Sequence, residues 1–303
     1  MILVAGGTGT LGTRVVRAIT ASGTPVRVLT RNADRAKALR ADGVEIAVGD
    51  VRDPATLVPA MHGATTVVSA VQGFAGLDPG GATAVDLGGN ENLLRAAEAA
   101  DVRRFILISA VGASPDSPLD LRRVKHQAET TARRSRLETT IIRPTVYLET
   151  WLGILTEMIE TKRATTVFGR GDNPINFVSA DDVAALVERA THTPELAGAT
   201  VEIGGPGNLT LNELSRTLLA RHNVPEKINH VPLPVLRAVA TLLRPIKPAV
   251  AALARFGIIM DSTDMTLAAD TARATVPNLP LTSLDAVLAH PSGPAPGPTS
   301  RPA

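Results

Sequence analysis

The chain lacks cysteine and has no long uninterrupted apolar segment. Without cysteine in its 303 residues it can form no disulfide, thiolate nucleophile or Cys-ligated zinc site. The six histidines show no metal-ligand spacing, so we expect no bound metal. The most apolar later segment, residues 232–259, is interrupted by basic residues and prolines, which excludes one membrane-spanning helix. We expect a cytoplasmic protein with no membrane partner and, since a strand is predicted from Met1, no signal peptide.

Aromatic residues and excess charge are also scarce. The formal net charge is +2, and no basic stripe is interleaved with aromatics, so we expect no nucleic-acid partner. Aromatics make up 2% of the chain, and Tyr147 and Trp151 stand out for that reason. Hydrophobic residues make up 44%, which together with the length allows a large buried core. The oligomeric state stays open.

The first twelve residues carry the strongest motif in the sequence. An apolar run from Met1 to Ala5 predicts a buried strand, and Gly6, Gly9 and Gly12 follow it at intervals of three before a helical pattern begins. A strand, a glycine turn and a helix can bind a dinucleotide, because the backbone approaches the pyrophosphate closely and the helix N-terminus supplies free N–H groups. The usual fingerprint spaces its first two glycines by two, but the position between strand and helix still favours this site.

Alternating apolar strands and helical patterns predict the fold. We expect an α/β protein with a doubly wound parallel sheet, a Rossmann fold. Residues 1–204 would form the NAD(P)-binding core, with residues 145–175 also reaching the substrate side. The pattern over residues 205–290 predicts a small, mainly helical substrate lobe. Its apolar side chains could form a pocket wall or an interface, and plain core packing is at least as expected. The proline-rich residues 291–303 predict a disordered tail.

Several local expectations accompany this fold. We expect a flexible loop over Gly73–Gly81, single helices over residues 84–100, 119–134 and 151–162, and a helical run over residues 232–253. Pro144 is expected to stop the sixth strand.

Residues after the predicted strands indicate which nucleotide is bound. Arg31 follows the second strand, where an NAD-specific protein would place an Asp or Glu, and an arginine suits the 2′-phosphate of NADP. The alternative is a solvated arginine opening the next helix. Asp50, after the third strand, would accept a hydrogen bond from adenine, whereas Asp53 before Pro54 is typical of a helix cap. NADPH is therefore the expected cofactor.

These residues together resemble a known superfamily. The GGTGTLG turn, Arg31, Gly49-Asp50-Val51, the strand end at Ser109, Lys125 and Arg143-Pro144 are similar to the short-chain dehydrogenases/reductases, nearest to the atypical, NmrA-like and isoflavone-reductase-like branch. The resemblance covers about residues 1–214. It implies a Rossmann core that binds NAD(P), with substrate held between the core and the C-terminal part.

The superfamily's catalytic signature is only partly present. Its members carry Tyr-x-x-x-Lys and a serine at the end of strand five; the tyrosine donates a proton as hydride arrives, and the lysine lowers the tyrosine's pKa and holds the nicotinamide ribose. Here Lys125 matches the lysine, Ser109 or the nearby Ser114 matches the serine, and Leu121 occupies the tyrosine position. Leucine cannot transfer a proton.

Four sources could replace the missing proton donor. The first is Tyr147, which follows strand six, and the second is Lys125, which could donate if burial lowers its pKa. The third is His126, although we expect it to be a solvated helix residue. We favour the substrate itself, either a phenolic hydroxyl beside a ketone or a quinone that needs little acid help. The candidate catalytic residues are Lys125, Ser109 and Tyr147. The candidate cofactor-binding residues are Gly6, Thr8, Gly9, Thr10, Leu11, Gly12, Arg31, Asp50, Val51, Ala70, Val71, Lys125 and Pro144.

Three functions remain open at this point. The first is an NAD(P)H-dependent reductase of a ketone or quinone in an apolar, aromatic or secondary-metabolite substrate. The second is a non-catalytic NADP(H)-binding redox-sensing regulator of the NmrA type, which the missing tyrosine favours. The third and weakest is an epimerase, because epimerases of this superfamily generally keep the tyrosine.

Overall fold

The computed structural model describes residues 1–73 and 81–289. The predicted tail, and the predicted loop apart from Gly73 and Gly81 at its ends, lie outside these residues. The chain divides into two compact units. Unit 1 contains Met1–Pro144, Ala180–Ile203 and Ala272–Pro280, and unit 2 contains Thr145–Ser179, Gly204–Thr271 and the described residues from Leu281 onward.

The described residues form the following strands and helices. The strands are β1 Ile2–Ala5, β2 Val26–Thr30, β3 Glu45–Val48, β4 Thr66–Ser69, β5 Arg104–Ile108, β6 Glu138–Pro144, β7 Val146–Tyr147, β8 Thr165–Phe168, β9 Ile175–Val178, β10 Thr200–Ile203, β11 Asn208–Leu209 and β12 Ile228–Val231. The α-helices are α1 Thr10–Ala21, α2 Lys37–Ala41, α3 Leu57–Ala60, α4 Asn90–Ala99, α5 Asp120–Arg134, α6 Leu148–Lys162, α7 Ala180–His192, α8 Leu211–Arg221, α9 Leu233–Leu242, α10 Pro248–Ser262, α11 Thr271–Thr275 and α12 Leu284–Ala289.

Unit 1 is built on one parallel sheet of seven strands in the order β10-β6-β5-β4-β1-β2-β3. Ile2 of β1 pairs with Val26 of β2 on one side and Thr66 of β4 on the other. The strand order reverses at this point, and ligands of doubly wound sheets bind beyond the carboxyl ends of the strands at such a switch point. The expected Rossmann fold is confirmed.

The central strands of this sheet are buried on both faces because helices cover both, whereas the edge strand β3 is partly exposed. All four residues of β1 and all five of β5 are buried. Phe105 and Leu107 pack with Leu3, Met61 and Leu93 in one continuous cluster. Each such side chain contributes about 1.5–3 kcal/mol when fully buried, so this cluster stabilises the sheet whose carboxyl ends carry the candidate site.

Unit 2 has a core of its own. Its strands form a three-stranded sheet, β11-β9-β7, and a two-stranded sheet, β12-β8. Leu148, Trp151 and Phe177 lie in one cluster with Leu214 and Met260. This explains why residues 145–179 group with the C-terminal part and not with the core expected over residues 1–204. Trp151 packs edge-on against Phe168, with ring centroids 6.2 Å apart, and is a core residue.

Several elements differ from the sequence expectation. The predicted helix over residues 84–100 starts as a π-helix, Thr83–Gly89, before α4 begins. The helical run over residues 232–253 is two helices, because Pro245 and Pro248 interrupt it. β6 includes Pro144 as its last residue. The Pro144 carbonyl still accepts a hydrogen bond from the Val111 N–H.

No helix within residues 1–73 and 81–289 combines the length and apolarity needed to cross a membrane.

Candidate cofactor and active site

The glycine turn after β1 packs too closely for side chains at two positions. Gly6 has φ +82°, and a Cβ atom there would lie 2.6 Å from the carbonyl oxygen of Ala70, after β4. A Cβ atom on Gly12 would overlap the carbonyl oxygen of Gly6. These glycines are required by the turn itself and by its contact with the end of β4.

Gly9 has no such explanation within the protein. A Cβ atom there would meet only the Gly6 carbonyl oxygen, at 3.4 Å, which is ordinary packing. Gly9 is the residue that precedes α1, and it supplies no side-chain cap to the helix. The first N–H groups of α1 therefore lack intrahelical partners, and they carry the positive end of the helix dipole. This geometry fits a pyrophosphate group.

The predicted cofactor residues of unit 1 follow successive strands of one sheet. Thr8, Thr10 and Leu11 belong to the turn and the first residues of α1, while Arg31 follows β2, and Asp50 and Val51 come shortly after β3. Ala70 and Val71 follow β4, and Pro144 ends β6. Because all these strands are parallel, their carboxyl ends meet at the same edge. The structure therefore brings this set together, while its contacts with a nucleotide remain a prediction.

Asp50 is already engaged by Arg52, a residue whose role the sequence did not predict. Arg52 donates from Nε to Asp50 Oδ1 at 3.0 Å and also from its backbone N–H at 2.9 Å. The hydrogen bonds from Arg52 hold the pKa of Asp50 below its usual value, and the positive charge of Arg31 adds to the effect. This part of the edge thus carries two arginines and one neutralised carboxylate.

Lys125 is held by the protein itself. Its Nζ donates to the Ile108 carbonyl oxygen at 2.9 Å and forms an ion pair with Asp86 Oδ1 at 2.8 Å. The lysine side chain is 6% exposed and the aspartate side chain is fully buried. The charge of Lys125 is therefore balanced by Asp86, and its predicted role toward the nicotinamide ribose rests on the N–H donors that the Ile108 carbonyl does not use.

Asp86 extends this contact to the end of β4. Its Oδ2 accepts the Gly73 N–H at 2.8 Å, and its backbone carbonyl accepts the Asn90 amide at 2.7 Å. Asn90 in turn accepts the hydroxyl of Ser69 in β4 at 2.6 Å. A π-helical turn such as Thr83–Gly89 is frequent at functional sites. Here it places Asp86 under the strand ends.

Ser109 belongs to a second buried network. Its hydroxyl donates to Glu129 Oε1 at 2.5 Å, and both side chains are almost completely buried. Arg143 binds the same carboxylate through Nε at 2.8 Å and Nη2 at 2.7 Å. A serine hydroxyl has one proton to donate, so in this arrangement Ser109 does not donate to a substrate.

The carboxylate of Glu129 stays ionised despite its position. Burial opposes ionisation, but the hydrogen bonds from Arg143 and Ser109 outweigh it and hold the pKa of Glu129 below its usual value. Arg133 adds a further ion pair at 3.1 Å. The network is therefore charged, paired and fixed, which suits positioning of the β5 and β6 ends more than proton transfer.

Arg122, next to the half-buried Leu121, differs from these paired groups. Its guanidinium packs on Gly112 in the loop after β5, where a Cβ atom would approach to 3.1 Å. Burial lowers the pKa of Arg122, yet among the described residues this arginine has no ion-pair or hydrogen-bond partner. Its position in the sequence did not predict this environment, because arginines on the first turns of a helix are usually solvated.

Two other candidate proton donors, Tyr147 and His126, each have a buried polar atom. Tyr147 belongs to unit 2, and its buried hydroxyl has no hydrogen-bond partner within the described residues. Burial, and then the negative charge of Glu149, raise its pKa, so it is a poor acid. His126 was expected to be solvated, but its Nδ1 atom is buried.

Known proteins share both the fold and the sequence pattern. The chain is 30% identical to the NAD(P)H azoreductase of Xenophilus azovorans over 220 residues, 73% of each chain. The structure of the Escherichia coli NADPH-dependent quinone oxidoreductase in complex with NADPH matches with a TM-score of 0.76, 22% identity and coverage of 97% of this chain and 100% of that one. The Citrobacter sp. triphenylmethane reductase, complexed with NADP(H), matches with a TM-score of 0.76, 19% identity and coverage of 95% and 98%.

The family model described as NAD(P)H-binding matches residues 6–194, a span that starts at the glycine turn and takes in both buried networks up to Arg143. With the fold and the switch-point geometry, this match confirms the expected resemblance to the atypical short-chain dehydrogenases/reductases and the expected nicotinamide cofactor. The chain belongs to the NAD(P)H-binding family.

Proposed function

We propose that the protein is an NAD(P)H-dependent reductase, with a preference for NADPH, that transfers a hydride to a ketone or quinone of an apolar, aromatic substrate. The observation that carries the proposal is the open space at Gly9, at the switch point of the sheet, which leaves room for the cofactor. In the same chain, α5 carries Leu121 at the position where a tyrosine would donate a proton. The relatives named above support a reductase, since one is an azoreductase and another a quinone oxidoreductase.

The chain's own residues account for cofactor binding. The free N–H groups at the start of α1 hold the pyrophosphate, and the glycine turn allows its close approach. Arg31 and Arg52 outnumber the single carboxylate of Asp50 and bind the 2′-phosphate that distinguishes NADPH from NADH. The bound nucleotide supplies a hydride, which is two electrons and one proton.

The state of the polar side chains favours a substrate that needs no enzymic acid. Leu121 carries no proton, Ser109 donates to Glu129, and Lys125 is paired with Asp86. After hydride addition the oxygen anion takes its proton from a neighbouring phenolic hydroxyl of the substrate or from water. Arg122, the guanidinium beside Gly112, donates hydrogen bonds to that oxygen and stabilises its charge.

The experiment follows the absorbance of NADPH in the presence of the protein and a panel of quinones, azo dyes and polycyclic ketones. Oxidation that requires both protein and substrate supports the proposal. Tight NADPH binding without oxidation across the panel would instead indicate the redox-sensing regulator. No affinity for any nicotinamide nucleotide would overturn both.

A variant tests the part assigned to Arg122. We expect Arg122→Gln to lower kcat about a hundredfold to a thousandfold, the range for removal of one charge-stabilising donor, with unchanged NADPH affinity. Arg134→Gln, at the exposed end of the same helix, is the matched control and should leave both quantities unchanged. Unchanged kcat in Arg122→Gln would remove this arginine from the mechanism.

A further inference from the structure

The helical hairpin formed by α9 and α10 in unit 2 exposes an apolar face. Eight large hydrophobic side chains are exposed among the described residues, and five of them lie between residues 235 and 253. Leu242 is 69% exposed and Ile246 is 73% exposed, and both lie at the connection between the helices. We call this set the hairpin face; it consists of Val235, Leu242, Ile246, Val250 and Leu253.

The hairpin face is separate from the packed side of the same helices. Leu236, Ala240 and Ala254 are buried in a cluster that joins the two helices. Val235 and Leu242 are seven residues apart on α9, Val250 and Leu253 are three apart on α10, and Ile246 lies in the connection between the two helices. These spacings place the exposed side chains on one side of each helix. Their exposure is thus a regular feature of the hairpin, since the core of unit 2 is already filled by other residues.

The charges of this segment have one sign. Residues 232–260 contain four basic residues and no Asp or Glu, which gives them a formal charge of +4. Because the whole chain carries +2, the remainder carries −2. Arg237, Arg244 and Lys247 are exposed, so the apolar side chains lie among cations without acidic neighbours in the sequence.

Apolar side chains among basic residues favour an anionic lipid surface over a second copy of the chain as the partner of the hairpin face. In a two-fold dimer of this chain the same surface would face itself, which would bring the cations of both copies together. A surface of anionic lipid headgroups attracts positively charged side chains, at about 1 kcal/mol per Lys or Arg near the membrane. Protruding apolar side chains flanked by basic residues are also typical of segments that lie in the membrane interface.

We propose that the hairpin face docks the protein onto an anionic membrane surface. Leu242 and Ile246 enter the headgroup and upper acyl region, and Arg244 and Lys247 remain at the level of the lipid phosphates. The expectation of no membrane partner considered only spanning segments, and this mode of binding needs none. The inference is independent of the proposed reductase activity, because it is measured without substrate or nucleotide.

The test is flotation of the full chain with vesicles of phosphatidylcholine alone and of phosphatidylcholine with phosphatidylglycerol. We expect binding to the anionic vesicles, weakened by salt, and little binding to the neutral ones. Leu242→Ser with Ile246→Ser should lower the partition coefficient at least tenfold. Arg244→Glu with Lys247→Glu should lower it by a larger factor, since each site loses its attraction and gains repulsion.

Matched controls keep the test specific. Val58→Ser removes an exposed apolar side chain from unit 1, and Arg40→Glu with Arg134→Glu reverses two exposed charges elsewhere. All three substitutions should leave vesicle binding unchanged, and circular dichroism verifies that every variant is folded. Because the altered hairpin side chains are exposed, loss of folding is not expected.

Two results would overturn the proposal. One is the absence of binding to anionic vesicles at low salt. The other is concentration-dependent dimerisation in sedimentation equilibrium that Leu242→Ser with Ile246→Ser abolishes, with no effect of these substitutions on vesicle binding. The second result would assign the hairpin face to a second copy of the chain.

Discussion

The entry to α1 and the first turns of α5 lie at the same edge of one sheet but are built in opposite ways. At α1 the protein leaves room, because Gly9 meets no close neighbour and the helix start has no side-chain cap. At α5 the protein fills the space with its own charges, since Asp86 neutralises Lys125 and Arg143 neutralises Glu129.

The difference separates binding from positioning. A region with unsatisfied backbone donors gains free energy when an anion arrives, whereas a region with paired charges gains little from one. We infer that the α1 entry supplies affinity for the nucleotide and that the α5 networks fix the ends of β4, β5 and β6. Arg122 is the exception in the α5 region, which is why we assign it to the substrate.

The largest expected effect comes from removing one of the paired charges at α5. Lys125→Met leaves the buried carboxylate of Asp86 without its cation, and such a loss costs about 3–5 kcal/mol of unfolding free energy. Asp86→Asn in the Lys125→Met background removes the uncompensated charge and keeps an acceptor for the Gly73 N–H. We expect this double variant to recover most of the loss in urea denaturation.

The double variant also separates two roles of Lys125. If the lysine serves only the fold, the recovered protein binds NADPH as tightly as the original; if it also contacts the ribose, affinity stays low after stability returns. A Lys125→Met protein as stable as the original would show that the ion pair with Asp86 does not support the fold.

The second prediction compares two glycines of the open region. Gly12→Ala forces a methyl group onto the Gly6 carbonyl oxygen, and we expect a loss of about 3 kcal/mol in stability. Gly9→Ala has room for its methyl group, so stability should change by less than about 1 kcal/mol, while NADPH affinity falls because the methyl group occupies space intended for the pyrophosphate. Calorimetric titration and thermal unfolding distinguish the two. Equal NADPH affinity in Gly9→Ala and the original protein would contradict the assignment of the pyrophosphate site to the turn at Gly9.

The sequence predicted the open region and not the filled one, for a physical reason. The glycine turn is a local structure whose spacing is visible in the sequence, although the close contact of Gly6 with Ala70 after β4 is not. Asp86 is far from Lys125 along the chain, and only the packing of the π-helical turn against α5 brings them together. The one local signal was the spacing of Lys125 and Glu129, which places both on one side of α5.

Unit 2 shows the same limit at the level of the fold. The helix expected over residues 151–162 lies within α6, but β7 and β8 were not predicted, and neither were the partners of the strands. Val146 of β7 pairs with Phe177 of β9, and Asn208 of β11 pairs with Asn176. Such non-local pairings decide which unit a segment joins, and apolar periodicity does not encode them.

The smallest expected effect is the pH dependence of the unfolding free energy that comes from Glu129 in the network with Ser109 and Arg143. The pKa of Glu129 in the folded protein lies below its ordinary value of 4.5, so its ionised form stabilises the fold above that pH, and this contribution is lost as the pH falls through the lowered pKa. Each unit of lowering corresponds to about 1.4 kcal/mol. The difference in unfolding free energy between the original protein and Glu129→Gln should be constant from about pH 7 to 5 and shrink below that.

Ser109→Ala supplies the matched comparison for this last prediction. It removes one hydrogen bond to Glu129 but leaves both contacts from Arg143, so the pKa of Glu129 should rise partway toward its ordinary value and acid unfolding should begin at a slightly higher pH. A stability difference for Glu129→Gln that does not change down to acid pH would mean that this carboxyl is not preferentially ionised in the folded state. In that event Ser109 would have no charged acceptor, its hydroxyl would be available to a substrate carbonyl, and the two regions would no longer divide binding from positioning as we infer.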